Sequence, residues 1–380
     1  MRVLQVIPSL SAVHGGPSVV LPVIERILTA QGFAVETITT DDEGAGSQNL
    51  KGDGLERSEN GVVRRYFPKQ TDFYKVSLPM ARWLKREVKR FDLIHIHALF
   101  SFSSLAAARA AKQAGVPYII RPLGVLNQYG ITQRRALLKR FSLYWVEAPA
   151  LRNAAAVHFT MEAEREEAEL LGIPFKSVVI PLGMEPQELP LPDPSVPPYV
   201  LFLSRIDPKK NLESLLDAWC AVVNTRPDWR LVIAGSGGAE YLASLKGRCA
   251  SLGIAGSVDW AGQVEGEEKA RLLVNAGIFT LPSFSENFGI AAAEAMQAGK
   301  ACLFTAGVAV GAWAAKSGAA VVSGESASEL ATALAGMMDD PTGRLELGRR
   351  AAAFAAAELS AAVMGQRLVK LYRELVPLTA

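Results

Sequence analysis

Two glutamates eight positions apart, Glu286 and Glu294, and two cations five positions apart, Arg205 and Lys210, are the residues of this chain best suited to reactive work. The glutamates lie in Pro282-Ser-Phe-Ser-Glu-Asn-Phe-Gly-Ile-Ala-Ala-Ala-Glu-Ala-Met-Gln-Ala-Gly299, directly after an apolar run, Ile278 to Leu281, that reads as a strand. A strand, a loop and a helix in that order place the amides of Asn287, Phe288, Gly289 and Ile290 at a helix N-terminus, where backbone N–H groups and the helix dipole favour a phosphate. Gly289 permits close approach to the backbone. At 1.5 Å per residue, Glu294 stands about 7.5 Å beyond Gly289 along the helix axis, so the two carboxylates can bracket an extended ligand. By itself the pair is also what an ordinary helix uses to complement its dipole.

The second segment gives the pair a context. In Ser204-Arg-Ile-Asp-Pro-Lys-Lys-Asn211, Asp207 suits an N-cap and Pro208 the first helical position, which puts Lys209 and Lys210 in the first turn of a helix. Cations there oppose the dipole. A diphosphate held between Arg205 and Lys210 removes that conflict, and the same charges stabilise a departing anion. A solvated basic turn is the plainer alternative.

Other patterns are less specific. His14-Gly15-Gly16-Pro17 follows the first strand and precedes a helix, so its amides can face a ligand. Gly235-Ser-Gly-Gly-Ala-Glu240 begins like a dinucleotide loop, but its sixth position is Glu240 and it lies in the second half of the chain, leaving the fingerprint incomplete. His95 and His97 share one face of a strand, with His97 at its carboxyl end and the better placed of the two to meet a ligand; His95 reads as a core histidine. No third ligand accompanies them, and no D-x-D pair is present, Asp41-Asp42 being the nearest approach. Sequence signatures of serine hydrolases, P-loop ATPases and zincins are missing.

These residues need elements to carry them. Short β-rich runs alternate with helix-length segments, the pattern of wound parallel sheets. Strands are expected at Val3–Ile7, Ala34–Thr39, Val62–Phe67, Leu93–His97, Tyr118–Arg121, Ala156–Thr160 and Ser177–Ile180. A second series is expected at Val200–Ser204, Arg230–Ala234, Val258–Ala261, Ile278–Leu281, Ala301–Thr305 and Ala320–Val322. Seven of the 21 prolines fall between Pro181 and Pro198, which bars helix or central strand there. The expected division is an N-terminal domain 1–185, a linker 186–198, a second domain 199–358 and a closing helix 359–380.

With 380 residues and 49% apolar content, two such cores can be filled. Forty basic against 38 acidic residues give a net charge of +2, so the chain is not built to coat nucleic acid. Ten cations between Arg57 and Arg90, followed by Arg134, Arg135, Lys139 and Arg140, form a local basic bias, read as a solvated face or a contact for an anionic membrane surface. Three scattered cysteines and no signal or spanning segment fit a cytoplasmic protein, at most peripheral on the membrane.

Taken together, Glu286 and Glu294, Arg205 and Lys210, and Gly15 and Gly16 make the chain resemble the family 4 glycosyltransferases, retaining enzymes of the GT-B fold: two Rossmann-like α/β domains facing each other across a cleft. The resemblance covers nearly the whole chain. It implies that Arg205 and Lys210 hold the diphosphate of a nucleotide sugar, that Glu286 meets the sugar and Glu294 the ribose, and that the amides near Phe288 and Gly289 lie beside the phosphate or sugar. It further implies an acceptor, glycan or lipid-linked, on the N-terminal domain, a closing helix that returns to that domain, no metal or other cofactor, and a role in polysaccharide or glycoconjugate assembly. Many members carry a histidine where this chain has Leu123, in Arg121-Pro-Leu-Gly124, so His97 or Arg121 is expected to supply polarity on the acceptor side. The rival readings are a nucleotide-sugar epimerase of the same fold and a non-catalytic sugar-nucleotide-binding subunit.

Overall fold

The computed structural model describes residues 1–11, 16–43, 55–59, 61–126 and 142–377. It divides into two compact units, Met1–Glu185 with Ala361–Ala380, and Pro186–Ser360.

The first unit holds strands β1 (Arg2–Val6), β2 (Ala34–Thr40), β3 (Leu55–Glu59), β4 (Val62–Phe67), β5 (Leu93–His97), β6 (Tyr118–Arg121), β7 (Ala156–Phe159) and β8 (Ser177–Val179). Its helices are α1 (Gly16–Ala30), α2 (Leu78–Glu87), α3 (Phe102–Ala114), α4 (Ala148–Asn153) and α5 (Glu162–Glu169). The sheet order is β3-β4-β2-β1-β5-β6-β7-β8, parallel except for the β3–β4 pair. Side chains alternate across it. From β5, Ile94 and Ile96 join Leu4, Val6 and Ile120 against Trp83 and Leu84 of α2 and Ala107 and Ala111 of α3. Burying each such aliphatic side chain contributes about 1.5–3 kcal/mol. The opposite face of the same strands carries Gln5, His95 and His97, all at 0% exposure. Serines at 77 and 101 cap α2 and α3 through their side-chain oxygens, and Gly115 ends α3 in the left-handed region.

The second unit holds β9 (Tyr199–Leu203), β10 (Arg230–Ala234), β11 (Val258–Gly262), β12 (Ile278–Leu281), β13 (Ala301–Thr305) and β14 (Val321–Ser323). Its helices are α6 (Leu212–Val223), α7 (Ala239–Ser251), α8 (Gly266–Asn275), α9 (Ile290–Gln297), α10 (Ala309–Ala315), α11 (Ala327–Asp339) and α12 (Pro341–Glu358). The order β11-β10-β9-β12-β13-β14 is wholly parallel and reverses direction between β9 and β12. In an open doubly wound sheet that reversal opens a crevice at the carboxyl ends of the two strands. The final helix, α13 (Ala361–Leu375), belongs to the first unit, where Gly365 lets it lie close against Ile27 of α1.

The α/β class and the two parallel sheets agree with the sequence reading, with β5, β6, β10, β12 and β13 bounded as expected. Strand β3 was not foreseen. The basic bias needs correction, because several of its cations are spent in ion pairs. Arg64 is held by Glu25 and Glu59, Arg65 by Glu56, Lys69 and Lys75 by Asp42, and Arg90 by Glu36 and Glu87. Arg82, Lys85, Arg86 and Lys89 remain exposed on and just after α2. The cluster Arg134, Arg135, Lys139 and Arg140 lies outside the described residues. Among the described residues, no helix is long and apolar enough to cross a membrane.

Candidate functional site

Both segments singled out in the second unit fall at its sheet reversal. The chain leaves β9 at Leu203 and runs through Arg205 to Lys210; it leaves β12 at Leu281 and runs through Glu286 to Gly289. Neighbouring strands deliver the two loops side by side, and the Phe284 amide donates to the Lys209 carbonyl at 2.9 Å. The salt bridge from Lys210 Nζ to Glu286 Oε2 spans the reversal, with side-chain exposures of only 4% and 20%. Burial pulls the Lys210 pKa below its ordinary value, Glu286 opposes that shift, and the charges of Lys209 and Arg205 reinforce it. Arg205 itself is exposed. The site therefore gathers three cations, only one of which a carboxylate holds in place among the described residues.

The local structure around Lys210 corrects one expectation. Asp207 does act as a cap, accepting from the Lys209 amide at 3.1 Å, but the turn it starts is a separate 3-10 helix, Pro208–Lys210. Asn211 then takes a left-handed conformation, φ 57°, and α6 begins only at Leu212. Lys210 thus sits at the end of the short turn, immediately before the cap of α6, and not in the first turn of α6 itself. Its burial comes instead from the close packing of the two loops.

Glu286 is fixed through its backbone. Its amide donates to the Gly307 carbonyl at 2.8 Å, and the Ala309 amide donates to its carbonyl at 3.3 Å. The Thr305 hydroxyl braces the same loop by donating to the Ser283 carbonyl at 2.6 Å. Helix α9 starts at Ile290 after Gly289, whose φ is 94°. Asn287 and Ile290 are half-buried and Phe288 is buried, so the amides from 287 to 290 form the N-terminal rim of α9 beside Glu286. Glu294, 9% exposed in the second turn, takes a 2.8 Å ion pair from Lys269 of α8. Sequence reasoning missed Lys269: it is 25 positions away on another helix, and no local pattern announces the pairing.

The glycine loop after β10 has a structural use. The Ile206 amide donates to the Ser236 carbonyl at 2.8 Å, and Ile206 bridges Gly237 in parallel fashion. A Cβ on Gly235 would overlap the Ser204 carbonyl oxygen, and one on Gly237 the Ile206 carbonyl. These glycines let one loop lie flat on the turn that carries Arg205.

The remaining candidates belong to the first unit. Gly16 opens α1, and Gly15 lies outside the described residues. His97 and Arg121 end adjacent strands and are paired in the parallel ladder. The difference in exposure expected between the two histidines is not found: His95 and His97 are both at 0%, and Arg121 is at 1%. His97 Nε2 lies 2.6 Å from Gln5 Oε1, and burial drives its pKa well below the usual imidazole value, with the Arg121 charge pushing the same way. Leu123 sits at φ 61° in the turn after β6.

Known proteins match this architecture along its length. Residues 15–183 fit the glycosyl transferase 4-like domain, and residues 187–354 fit the glycosyl transferases group 1 model. The chain is 31% identical over 183 residues to a GDP-mannose-dependent monoacylated alpha-(1-6)-phosphatidylinositol monomannoside mannosyltransferase of Corynebacterium glutamicum; the match takes in 46% of each protein, less than half the relative's length. It is 25% identical over 310 residues to a GDP-mannose:cellobiosyl-diphosphopolyprenol alpha-mannosyltransferase of Xanthomonas oryzae, covering 79% of the chain and 77% of that protein. Among solved structures, sucrose-phosphate synthase from Thermosynechococcus elongatus superposes with a TM-score of 0.79 at 21% identity, covering 99% of both chains.

Proposed function

The chain belongs to the group 1 glycosyl transferases and has their two-domain GT-B fold, and from that premise we propose that it transfers a hexose from a nucleoside diphosphate to an acceptor hydroxyl with retention of anomeric configuration and without a metal ion. The observation that carries this reading is the Lys210–Glu286 bridge across the sheet reversal of the second unit, with Arg205 beside it.

The arrangement suits a donor with a diphosphate and a sugar. A diphosphate oxygen competes with Glu286 for the Lys210 ammonium, while Arg205 and the amides at the start of α9 add donors for the remaining oxygens. Glu286, displaced from Lys210, becomes an acceptor for sugar hydroxyls. Glu294, positioned by Lys269, is left for the ribose. When the bond between the anomeric carbon and the phosphate oxygen breaks, the electron pair stays on the diphosphate, and the fixed cations stabilise that charge without reorganisation. The acceptor oxygen bonds to the anomeric carbon on the face the phosphate leaves, and its proton passes to the departing phosphate oxygen. No dedicated protein base is then required.

GDP-mannose is named for both curated relatives, which makes a GDP-hexose the first donor to try. One relative is named for a phosphatidylinositol mannoside and the other for a diphosphopolyprenol glycan, which supports a lipid-linked acceptor and a role in glycoconjugate or polysaccharide assembly. The test is a thermal-shift panel of GDP-, UDP- and ADP-hexoses in EDTA, because a ligand at 100 times its Kd adds about 2.7 kcal/mol to native stability. Stabilisation by one nucleotide class, followed by a product of unchanged anomeric configuration, supports the proposal. A free nucleotide sugar altered without any acceptor points to an epimerase instead, and no shift with any member of the panel refutes donor binding.

A further inference from the structure

On the polar face of the first unit's sheet, a chain of buried hydrogen bonds has a direction that can be read from one end. The Ile180 carbonyl only accepts, so His158 Nε2, 2.9 Å away, carries a hydrogen. Burial holds His158 down at about 3 and keeps His95 and His97 well below the ordinary imidazole value, so all three rings are neutral. His158 Nδ1 therefore accepts from His95 Nε2 at 3.3 Å, and His95 Nδ1 accepts from the Tyr372 hydroxyl at 2.7 Å. The Tyr372 oxygen in turn accepts from Gln5 Nε2 at 3.5 Å, which turns Gln5 Oε1 toward His97 Nε2 at 2.6 Å as its acceptor. One lone pair remains at the end of this chain, on His97 Nδ1, and among the described residues it has no partner.

Arg121 is the neighbour of His97 in the ladder. Its guanidinium is buried, and neither Nε nor Nη1 finds an acceptor among the described residues. Burial lowers its pKa to about 10, which leaves it charged at neutral pH. Glu164 is the acidic group whose charge reaches it, yet both Glu164 oxygens are taken: one by the Gly124 amide at 2.7 Å, the other by the Thr160 amide and hydroxyl at 2.8 and 2.9 Å. A buried guanidinium with no acceptor bonded to these nitrogens is costly even with a carboxylate charge nearby, and such a group calls for an explanation, of which a bound anion is one. The backbone just beyond both residues is also held in the left-handed half of conformational space, at Ala98 (φ 131°), Phe100 (φ 54°) and Leu123 (φ 61°), strain of the kind that collects at ligand sites.

We propose that Arg121 and His97 form a binding site for a ligand presenting an anionic oxygen within reach of a hydroxyl hydrogen: a hydrogen phosphate, whose own hydroxyl serves, or a sugar phosphate, whose phosphate is a dianion at neutral pH and leaves a sugar hydroxyl to serve. The anionic oxygen accepts from the Arg121 guanidinium, and the hydroxyl donates to His97 Nδ1. Only the further step, that this ligand is the acceptor of the transfer reaction, rests on the glycosyl-transfer reading; the site itself does not, since all of its residues lie in the first unit.

The test uses the full chain carrying Lys210→Met, which takes the phosphate-seeking lysine out of the second unit, and follows thermal unfolding against inorganic phosphate, sulfate, glucose 6-phosphate and glucose. Phosphate or glucose 6-phosphate is expected to raise the midpoint, and glucose is not. Sulfate, which has no hydroxyl at neutral pH, is expected to bind at least tenfold more weakly than phosphate. Adding Arg121→Met should weaken phosphate binding at least tenfold while the unliganded midpoint holds or rises, because an unpaired buried charge is gone; a merely structural arginine would lower it. Arg121→Gln reports the same loss should Arg121→Met not fold. His97→Leu should erase the preference for phosphate over sulfate. Tighter binding of glucose 6-phosphate than of phosphate identifies a phosphomonoester as the ligand, and the reverse identifies the free ion. No stabilisation by either, or a shift that survives both Arg121 substitutions, overturns the proposal. Loss of nucleotide binding in Lys210→Met is read separately, so failure of the donor reading leaves this result intact, and the converse holds.

Discussion

Replacing Glu286 with glutamine should tighten the binding of a nucleoside diphosphate while abolishing transfer. In the free protein the Lys210 ammonium is engaged by Glu286, with side-chain exposures of 4% and 20%. A diphosphate must break that bridge before it can use the lysine. A charge-assisted hydrogen bond in such a setting is worth about 1.5–3 kcal/mol net and a neutral one about 0.5–1.5, so Glu286→Gln lowers the cost of displacement by about 1–2 kcal/mol, or roughly 5- to 30-fold in Kd. The sign of the pH dependence follows from the same pair. Glu286 is the group that raises the Lys210 pKa against its burial, so the variant's lysine loses its proton at a lower pH than the wild-type lysine, and the gain in affinity shrinks as pH rises. Calorimetric titration with GDP and UDP at pH 7 and pH 9 measures both effects, and transfer assayed in parallel should drop by at least about 100-fold if the carboxylate serves the sugar. A variant that binds the nucleotide no better than wild type would show that the bridge does not compete with the ligand, and a fully active variant would remove Glu286 from the site.

Three further outcomes are expected. Gly235→Ala should destabilise the second unit by at least about 3 kcal/mol in chemical denaturation, because its Cβ overlaps the Ser204 carbonyl oxygen at the base of the Arg205 turn. Glu147, wholly buried and accepting from the Tyr74 hydroxyl, is raised by burial from 4.5 to about 7; its folded pKa lies above the unfolded one, so its contribution is complete below pH 4.5 and is lost as pH climbs through 7. Glu147→Gln should flatten that decline, gaining up to about 3 kcal/mol over wild type at pH 8.5, as read from urea midpoints across the range. Reversing Arg82, Lys85, Arg86 and Lys89 together should release the chain from anionic lipid vesicles in a sedimentation assay, since each such cation near a charged surface contributes about 1 kcal/mol; unchanged sedimentation would count against membrane contact through α2.

What was legible in the sequence was whatever repeats with a period or falls on a loop after a strand. Fully buried runs such as Ile278–Leu281 and Ala301–Thr305 announce parallel strands because both of their faces are covered. Strand β3, Leu-Glu-Arg-Ser-Glu, carries no such signal. It is an exposed edge whose pairing is set by charge, with Glu56 opposite Arg65 in the antiparallel register and ion-paired to it. In the site, Arg205, Lys210 and Glu286 stood out because their loops are short and polar between apolar strands. Lys269 did not, since its meeting with Glu294 depends on how α8 packs beside α9. The cap at Asp207 and the helical turn Pro208–Lys210 were legible from a proline after a capping aspartate; that the turn stops at the left-handed Asn211, separate from α6, was not. His97 was expected to be the more accessible of its pair from its place at the strand end, but it is as buried as His95; its contact with Gln5, and that of His95 with Tyr372, join residues from distant parts of the chain.

The most direct measurement is calorimetric titration of wild type and Lys210→Met with GDP-mannose, UDP-glucose and ADP-glucose in excess EDTA. One of the three should bind the wild type in a 1:1 ratio, and the substitution should weaken that binding by about 10- to 100-fold, the effect of losing a buried charged hydrogen bond to phosphate. Binding that requires a divalent ion, or that is as tight without the Lys210 ammonium as with it, would contradict the account.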